Sequence, residues 1–240
     1  KKWGMFDYSQ QEPRLVVHFA ELQNRMGGTS YTSPRREYDT QAFIRGYSTG
    51  DADFHEMVAE IADVERKTAK TINLGLFYGM GKKKLAEQLN LDFTEASAII
   101  NEYNQKVPFI KDLSNEAMEV MEERDYVKTV LGRRCRSFGF VPKVWGRKGE
   151  DGESFWKTEE EAQKNCPDYN GDKTYKKAYA YKALNKIIQG SAADQTKKAM
   201  VDLYEQDGII PHIQVHDELN ISVENKEQAL NIKTKMENAV

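Results

Sequence analysis

Two carboxylates set the chemical question. Asp7 ends a segment, residues 3–7, that reads as a short strand, and Asp217 sits in a segment, 209–223, that reads as a hairpin. Strand ends in one small sheet can bring two carboxylates within a few ångströms, and such a pair is tolerable only if cations neutralise it. Taken singly, each acid has a structural explanation, because Asp7 could cap the helix that follows and Asp217 could serve as a turn residue. The hairpin points further. A tight turn at Asp217-Glu218 lacks the Gly or Asn that two-residue turns favour, so a local rule is broken there.

A second set lies in residues 66–79. Arg66, Lys70, Leu74 and Tyr78 follow at four-residue steps, and at ~100° per residue all four share one helix face. Two cations, an apolar platform and a phenol stack along that stripe; the structural alternative is a solvated basic edge grading into core. Gly75 and Gly79 lie in or near the end of the same helix, where each costs up to about 1 kcal/mol relative to Ala. Close approach of another backbone or a ligand would explain them. Asn185 and Gln189, again four apart, could aim two amides at the minor-groove acceptors that every base pair presents. Two surface amides beside a helix bend at Gly190 are the alternative.

The elements that must position these groups follow from pattern. After the first strand, Ser9 and Glu12 have capping-box spacing with Pro13 tolerable in the first turn, and Leu15, Val16, Phe19 and Leu22 give the helix a buried face. Residues 27–39 read as a polar, Gly-containing loop, and 54–79 as helix in two pieces broken near Asp63. Helices are expected over 94–106 and 109–124, with Pro108 between them, then a hairpin over 126–140 around Gly132. Residues 141–174 read as an irregular insertion, 175–206 as helix bent at Gly190, and a last helix starts at Asn225. The order fits an α+β fold, an antiparallel sheet with helices packed on one side and a helical excursion inserted between its strands.

Composition sets outer limits. The 240 residues can bury a real core and carry a net charge of -3, which by itself gives no support to a nucleic-acid partner. Basic residues nevertheless cluster at 82–84, 133–136, 143–148 and 173–186, and acids at 116–125 and 150–161, so a neutral total can hold a basic groove. No apolar run approaches the ~20 residues that span a bilayer, which excludes a membrane helix and membrane partners of that kind. Cys135 and Cys166 form neither a CxxC pair nor a metal set, which favours a reduced, intracellular setting. His212 and His216 have the spacing for one strand face, but no third or fourth zinc ligand stands nearby.

Read together, three segments resemble, in order, the signature motifs of the family A (DNA polymerase I family) DNA polymerases. Residues 7–14, DYSQQEPR, resemble motif A; 66–79, RKTAKTINLGLFYG, resemble motif B; and 214–218, QVHDE, resemble motif C, preceded by QGSAAD at 189–194. The likeness covers nearly the whole chain apart from 26–38 and 141–174. It implies a palm at 1–25 and 116–240 and fingers at 26–115, with the thumb, any exonuclease domain and the final palm strands outside this chain. It implies template-directed addition of deoxynucleotides to a primer 3′-hydroxyl, with primer-template DNA and deoxynucleoside triphosphates as partners. Two Mg²⁺ would be held by Asp7, Asp217 and the backbone carbonyl of Tyr8, one lowering the pKa of the hydroxyl and one steadying the triphosphate and pyrophosphate. Gln10, His55, Arg66 and Lys70 fall at nucleotide-binding positions, Lys70 also as proton donor to pyrophosphate. Glu12 falls at the steric gate against ribonucleotides, Tyr78 beside the templating base, and Asn185, Gln189 and His216 at the duplex end.

The loop at 26–38 and the insertion at 141–174 together suggest a phage-type enzyme of the bacterial cytoplasm, working with a separate upstream polymerase fragment if its missing segments reside on another polypeptide. Two other readings stand beside it. A related single-subunit RNA polymerase shares the aspartates and the Arg, Lys and Tyr helix, but Glu12 would block its ribonucleotide. A non-catalytic nucleic-acid-binding module that retains the fold would leave the aspartates and the basic stripe without purpose, and a split-subunit fragment of the enzyme would not. The sequence departs from the family at Gln11 and Pro13, at Tyr181 where an arginine is usual, and at Leu74 where Phe or Tyr is usual. Because the residue at 74 influences discrimination at the 3′-hydroxyl, the chain should differ in dideoxynucleotide sensitivity from a Leu74→Tyr variant. Competitive incorporation of dideoxy- and deoxynucleotides measures this, and equal ratios for the two proteins would refute it.

Overall fold

The computed structural model describes residues 1–25, 34–50, 52–144 and 146–240. Strand β1 (Lys2–Asp7) leads into helix α1 (Gln11–Arg25), after which α2 (Pro34–Thr49), α3 (Phe54–Ala62), α4 (Arg66–Phe77), α5 (Lys82–Leu89), α6 (Phe93–Lys106) and α7 (Pro108–Arg124) form the helical excursion. The chain continues through hairpin β2 (Tyr126–Lys128) and β3 (Arg134–Arg136), then β4 (Phe140–Pro142), α8 (Glu159–Asn165) and β5 (Tyr175–Lys177). A 3₁₀ turn (Ala180–Lys182) opens the long helix α9 (Ala183–Asp207), and β6 (Ile213–Val215), β7 (Glu218–Val223) and α10 (Lys226–Glu237) close the described chain.

Local chemistry sets these boundaries. Asp53 accepts from the Glu56 amide at 3.0 Å and caps α3, which stops at Asp63 in the left-handed region. Asp92 and Glu95 make a reciprocal capping box for α6, Pro108 occupies the first turn of α7, and Asn225 caps α10. Gly208, at φ 66, ends α9.

The main sheet runs β1-β7-β6, all antiparallel, with Asp7 opposite Glu218 and Val215 opposite Glu218 on the other side. Its inner face, Leu219, Ile221 and Val223, packs on Ala199 and Leu203 of α9 and on Ile232 and Met236 of α10. Trp3 and Met5 face the open side. A larger core joins Leu15, Val16, Val17 and Ala20 of α1 to Phe43, Phe54, Ile72, Phe77, Phe109 and Leu113 from the helical excursion, and to Leu184 and Ile188 of α9.

Several expectations need correction. The first residue of α1 is Gln11 and the Arg14 amide donates to the Gln10 carbonyl at 3.1 Å, so Gln10, not Ser9, occupies the cap position and Glu12 is too early to complete a box. Leu15 and Val16 are buried as expected and Phe19 packs against the same core, but Leu22 is 37% exposed, and Val17 and Ala20 are buried in addition. Part of the expected loop over 27–39 is helix from Pro34, and the rest lies outside the described residues. Helix α5 went unpredicted. The expected irregular insertion holds α8 and is flanked by the paired strands β4 and β5, and Trp156, Ala162 and Cys166 inside it form a small core with Phe140 and Tyr175 of those strands; residues 175–177 are thus strand, not helix. The final hairpin turns at His216-Asp217, with Glu218 already in β7 and His216 at φ 54.

The glycines of α4 find their explanation in close approach. A Cβ on Gly75 would fall 2.3 Å from Leu85 Cδ2 of α5, and one on Gly79, at φ 66, would fall 2.6 Å from the Tyr181 carbonyl oxygen. Gly190 lies within the unbroken α9, where a Cβ would fall 2.7 Å from Thr129 Cγ2 of the β2–β3 turn, so it serves packing where a bend was expected. Gly132 has φ 81 but nothing near it. Gly79→Ala should therefore cost at least ~1 kcal/mol more than Gly132→Ala, which adds backbone strain alone. Urea denaturation of both variants checks this, and equal losses would contradict the close-approach account.

Candidate active site

Three consecutive residues at the start of α1 connect the sheet to the helices. Gln10, held at φ 54, donates from Nε2 to the Ala52 carbonyl at 2.9 Å and accepts the Phe54 amide on Oε1 at 2.7 Å, so it grips the backbone that opens α3. Gln11 is buried and donates toward Gln195 Oε1 at 3.0 Å and toward Ala192 O and Thr196 Oγ1 at 3.3 Å, tying α1 to α9. Glu12 accepts from the Tyr78 hydroxyl at 3.0 Å at the end of α4, and Tyr78 also bonds Gln189. One short segment thus binds α3, α9 and α4 to the strand that carries Asp7.

The carboxylates converge at the end of the sheet. Burial and then the negative charges of Asp217 and Glu218 hold the Asp7 carboxyl above its usual range. Burial also raises Glu12; the Tyr78 hydrogen bond opposes this, Asp217 adds to it, and His216 opposes it. Asp217 therefore acts on both Asp7 and Glu12, Glu218 acts on Asp7, and His216 acts on Glu12. Among the described residues no Lys or Arg pairs with Asp7 or Asp217. An uncompensated carboxylate pair of this kind fits a divalent cation. Among the described residues no three His, Cys, Asp or Glu side chains form a closed cage, so such a cation would complete its shell with other oxygens, as Mg²⁺ commonly does. The Tyr8 phenol points away and donates to the Met236 carbonyl at 2.8 Å, which leaves only its backbone for any ligand role.

Along α4, Arg66 and Lys70 are exposed, Leu74 is half-buried against the main core and Tyr78 is 36% exposed. Arg66 is paired, with Asp53 at 2.6 Å and Glu56 at 3.5 Å. Burial pulls Asp53 upward, but the hydrogen bond and charge of Arg66 with the capped amide outweigh it and hold the carboxyl below its usual range. His55 is buried under this stripe, its Nδ1 3.1 Å from Asn73 Nδ2, with Tyr103 donating to Asn73 behind it. Burial lowers the imidazole pKa; Asp53 opposes the shift, and Lys70 and Arg66 add to it. On α9, Asn185 is half-buried and Gln189 exposed, and His216 is exposed at the hairpin tip. His212 stacks on Trp3 and contacts Ser222 Oγ at 2.9 Å, which accounts for it without zinc.

Sequence reasoning missed four contributors. Glu218 adds a third acid beside the pair, Asp53 holds Arg66, Asn73 fixes His55, and Gln11 is a buried clamp. Asp53 carried a signal, a capping residue directly before a helix start. Gln11 carried none, because its partners lie over 180 positions away.

The whole chain, residues 1–240, matches the model of the family described as DNA polymerase family A. A DNA-directed DNA polymerase of Pseudomonas phage M6 is 32% identical over 95% of this chain and 34% of its own length. A DNA polymerase I of Helicobacter pylori is 33% identical over 92% of this chain and 20% of its own. Among solved structures, the POL domain of Pol1 from M. smegmatis in complex with DNA primer-template and dNTP superposes with a TM-score of 0.67 at 25% identity, covering 100% of this chain and 37% of that one. The chain spans a fifth to a third of the length of these curated relatives.

Because Asp7 is raised in the fold, its ionisation disfavours the folded state: the cost is absent below the unfolded carboxylate pKa and present once pH exceeds the folded value. Asp7→Asn should thus raise the melting temperature in metal-free buffer at pH 7 by about 1–3 °C, and the gain should vanish near pH 3. Thermal melts across pH test this. A melting temperature at pH 7 lowered by the substitution would contradict it.

Proposed function

The chain belongs to the family A DNA polymerases, and from that membership we propose that it carries the nucleotide-adding centre of a template-directed DNA polymerase. In this reading residues 1–25 and 116–240 act as palm and 26–115 as fingers, deoxynucleoside triphosphates are joined to a primer 3′-hydroxyl, and pyrophosphate leaves.

The observation that carries the reading is the position of Glu12. Its carboxylate feels Asp217 and accepts from Tyr78, which supports reading the acid pair at the sheet's end and the cationic stripe of α4 as one site. Asp7, Asp217 and the Tyr8 carbonyl would hold two Mg²⁺. Those ions, when bound, activate the 3′-hydroxyl and neutralise charge on the phosphates. Arg66 and Lys70 receive the triphosphate on the exposed face of α4, Lys70 placed to protonate pyrophosphate. To do so Arg66 exchanges the Asp53 carboxylate for phosphate, a like-for-like swap of anionic partners. His55, fixed by Asn73, supports that surface from below. Glu12, held rigid by Tyr78, fills the space a 2′-hydroxyl would need. Gln10 acts here by fixing the start of α3, which sets Asp53 and His55. Asn185, Gln189 and His216 line the approach of the duplex end, and Gln189 also reaches Tyr78.

Primer extension on a DNA template with Mg²⁺, with and without a separately supplied upstream polymerase segment, tests the proposal. Deoxynucleotides should outpace ribonucleotides by ~10²-fold or more, and Asp217→Asn should cost on the order of 10³-fold. Extension unaffected by Asp217→Asn would overturn the assignment. Binding of primer-template without extension in any combination would leave a non-catalytic nucleic-acid module.

A further inference from the structure

At the stem of the 141–174 insertion three aromatic rings stand in the open. Phe138 is 53% exposed, Tyr179 45% and Tyr181 47%. They form a continuous ridge: Phe138 meets Tyr179 edge-on at 5.7 Å, and Tyr179 meets Tyr181 at 6.2 Å. Exposed rings normally turn inward or lie singly. These three are held outward, and Tyr179 is held at φ 57, a conformation that bulky residues rarely adopt without a reason.

Cations are interleaved with the rings. Lys182 Nζ lies 4.9 Å from the centre of Tyr179 and 5.9 Å from that of Tyr181, and Lys186 Nζ lies 3.9 Å over Phe138. Lys182 and Lys186 are one helical turn apart at the start of α9, and Arg134 and Arg136 are exposed on the neighbouring β3. The acid at the base of the ridge, Asp125, is already neutralised by Lys177 at 2.8 Å. The surface is therefore aromatic and positive, with its rings turned at steep angles to one another.

Its location narrows the occupant. The Tyr181 backbone runs so close to Gly79, the residue after Tyr78, that a Cβ there would fall 2.6 Å from its carbonyl oxygen, and Tyr181 lines a cleft of about 510 Å³ together with Gly79 and Met80. The ridge thus begins where the proposed active site ends and leads away from it along the insertion stem.

We infer that the Phe138–Tyr179–Tyr181 ridge, with Lys182 and Lys186, binds single-stranded nucleic acid, namely the unpaired 5′ segment of the template before it reaches the active site. Bases stack on the rings and the two lysines meet the intervening phosphates, a combination that grips any sequence. A duplex offers no free base faces for such stacking, and a protein segment would not need two lysines flanking the rings. The inference rests on the polymerase reading for the identity of the strand, but not for the chemistry of the surface.

The test compares binding, by fluorescence anisotropy, of three probes: a (dT)12 single strand, and one primer-template duplex with a template overhang of either one or ten nucleotides. The protein should bind the ten-nucleotide overhang about 10-fold more tightly than the one-nucleotide overhang. Combined Phe138→Ala, Tyr179→Ala and Tyr181→Ala should abolish that preference and weaken (dT)12 binding, while the one-nucleotide duplex binds as before. Lys182→Gln with Lys186→Gln should lower the salt slope for (dT)12 by about 1.4. Thermal melting shows whether the triple variant folds, and Tyr179→Phe, which keeps a ring, should retain the preference. Equal affinity of the unsubstituted protein for both overhangs, or a folded triple variant with its preference intact, overturns the ridge. Failure to bind any duplex while (dT)12 still depends on the ridge would overturn the polymerase reading instead.

Discussion

The pairing of β1 with β7 is the constraint on which everything else rests. It joins the two ends of the described chain, as in the Trp3 indole N–H donating to Asn220 Oδ1 at 2.9 Å across 217 positions of sequence. Closing so long a loop is entropically costly, and the cost is recovered by burying Leu219, Ile221 and Val223 against α9 and α10. Strand periodicity makes the register strict. A slip of one residue would turn Asp7 from the open face of the sheet into the apolar layer below and carry Leu219 outward. The same hydrophobic pattern that stabilises the sheet therefore places Asp7 opposite Glu218 and beside Asp217.

Like charges gathered in this way oppose folding, so other contacts must hold them. The tight turn at His216-Asp217, with a histidine in the left-handed region, leaves Asp217 little freedom to swing away. On the other side Gln10, Gln11 and Glu12 each spend their side chains on a different helix, which fixes the end of β1 relative to α3, α9 and α4. The β2–β3 hairpin braces α9 in turn: Arg133 Nε donates to the buried Asp194 at 2.8 Å, Thr129 donates to the same carboxylate, and the Val130 amide donates to Ser191 Oγ at 2.9 Å. Local strain and charge repulsion concentrated at one rim of a well-packed body are the usual mark of a site kept for function.

Much of this was legible in the sequence where local rules operate. The break at Asp63, the helices on either side of Pro108 and the start of α10 at Asn225 each had a capping or proline signal, and the carboxylate pair could be anticipated from its place at strand ends. Where tertiary contacts decide, sequence was silent. Ser9 and Glu12 have the spacing of a capping box, yet Glu12 bonds Tyr78, 66 positions away, and Gln10 takes the cap. Leu22 looks like core but faces outward, while Val17 and Ala20 join the expected Leu15 and Val16 inside. Residues 141–174 look irregular because the core they enter is assembled from widely spaced residues without periodicity, Trp156 and Cys166 within the segment and Phe140 and Tyr175 at its flanks.

If the sheet register builds one cation site from Asp7 and Asp217, the two carboxylates must act together in binding the ion. Titration of Mn²⁺ followed by electron paramagnetic resonance, with primer-template and a non-hydrolysable deoxynucleotide present, measures this in Asp7→Asn, Asp217→Asn and the double variant. Strongly non-additive losses, each single substitution removing nearly as much binding as both together, are the predicted result. Independent, additive losses, or Mn²⁺ binding untouched by either substitution, would contradict it.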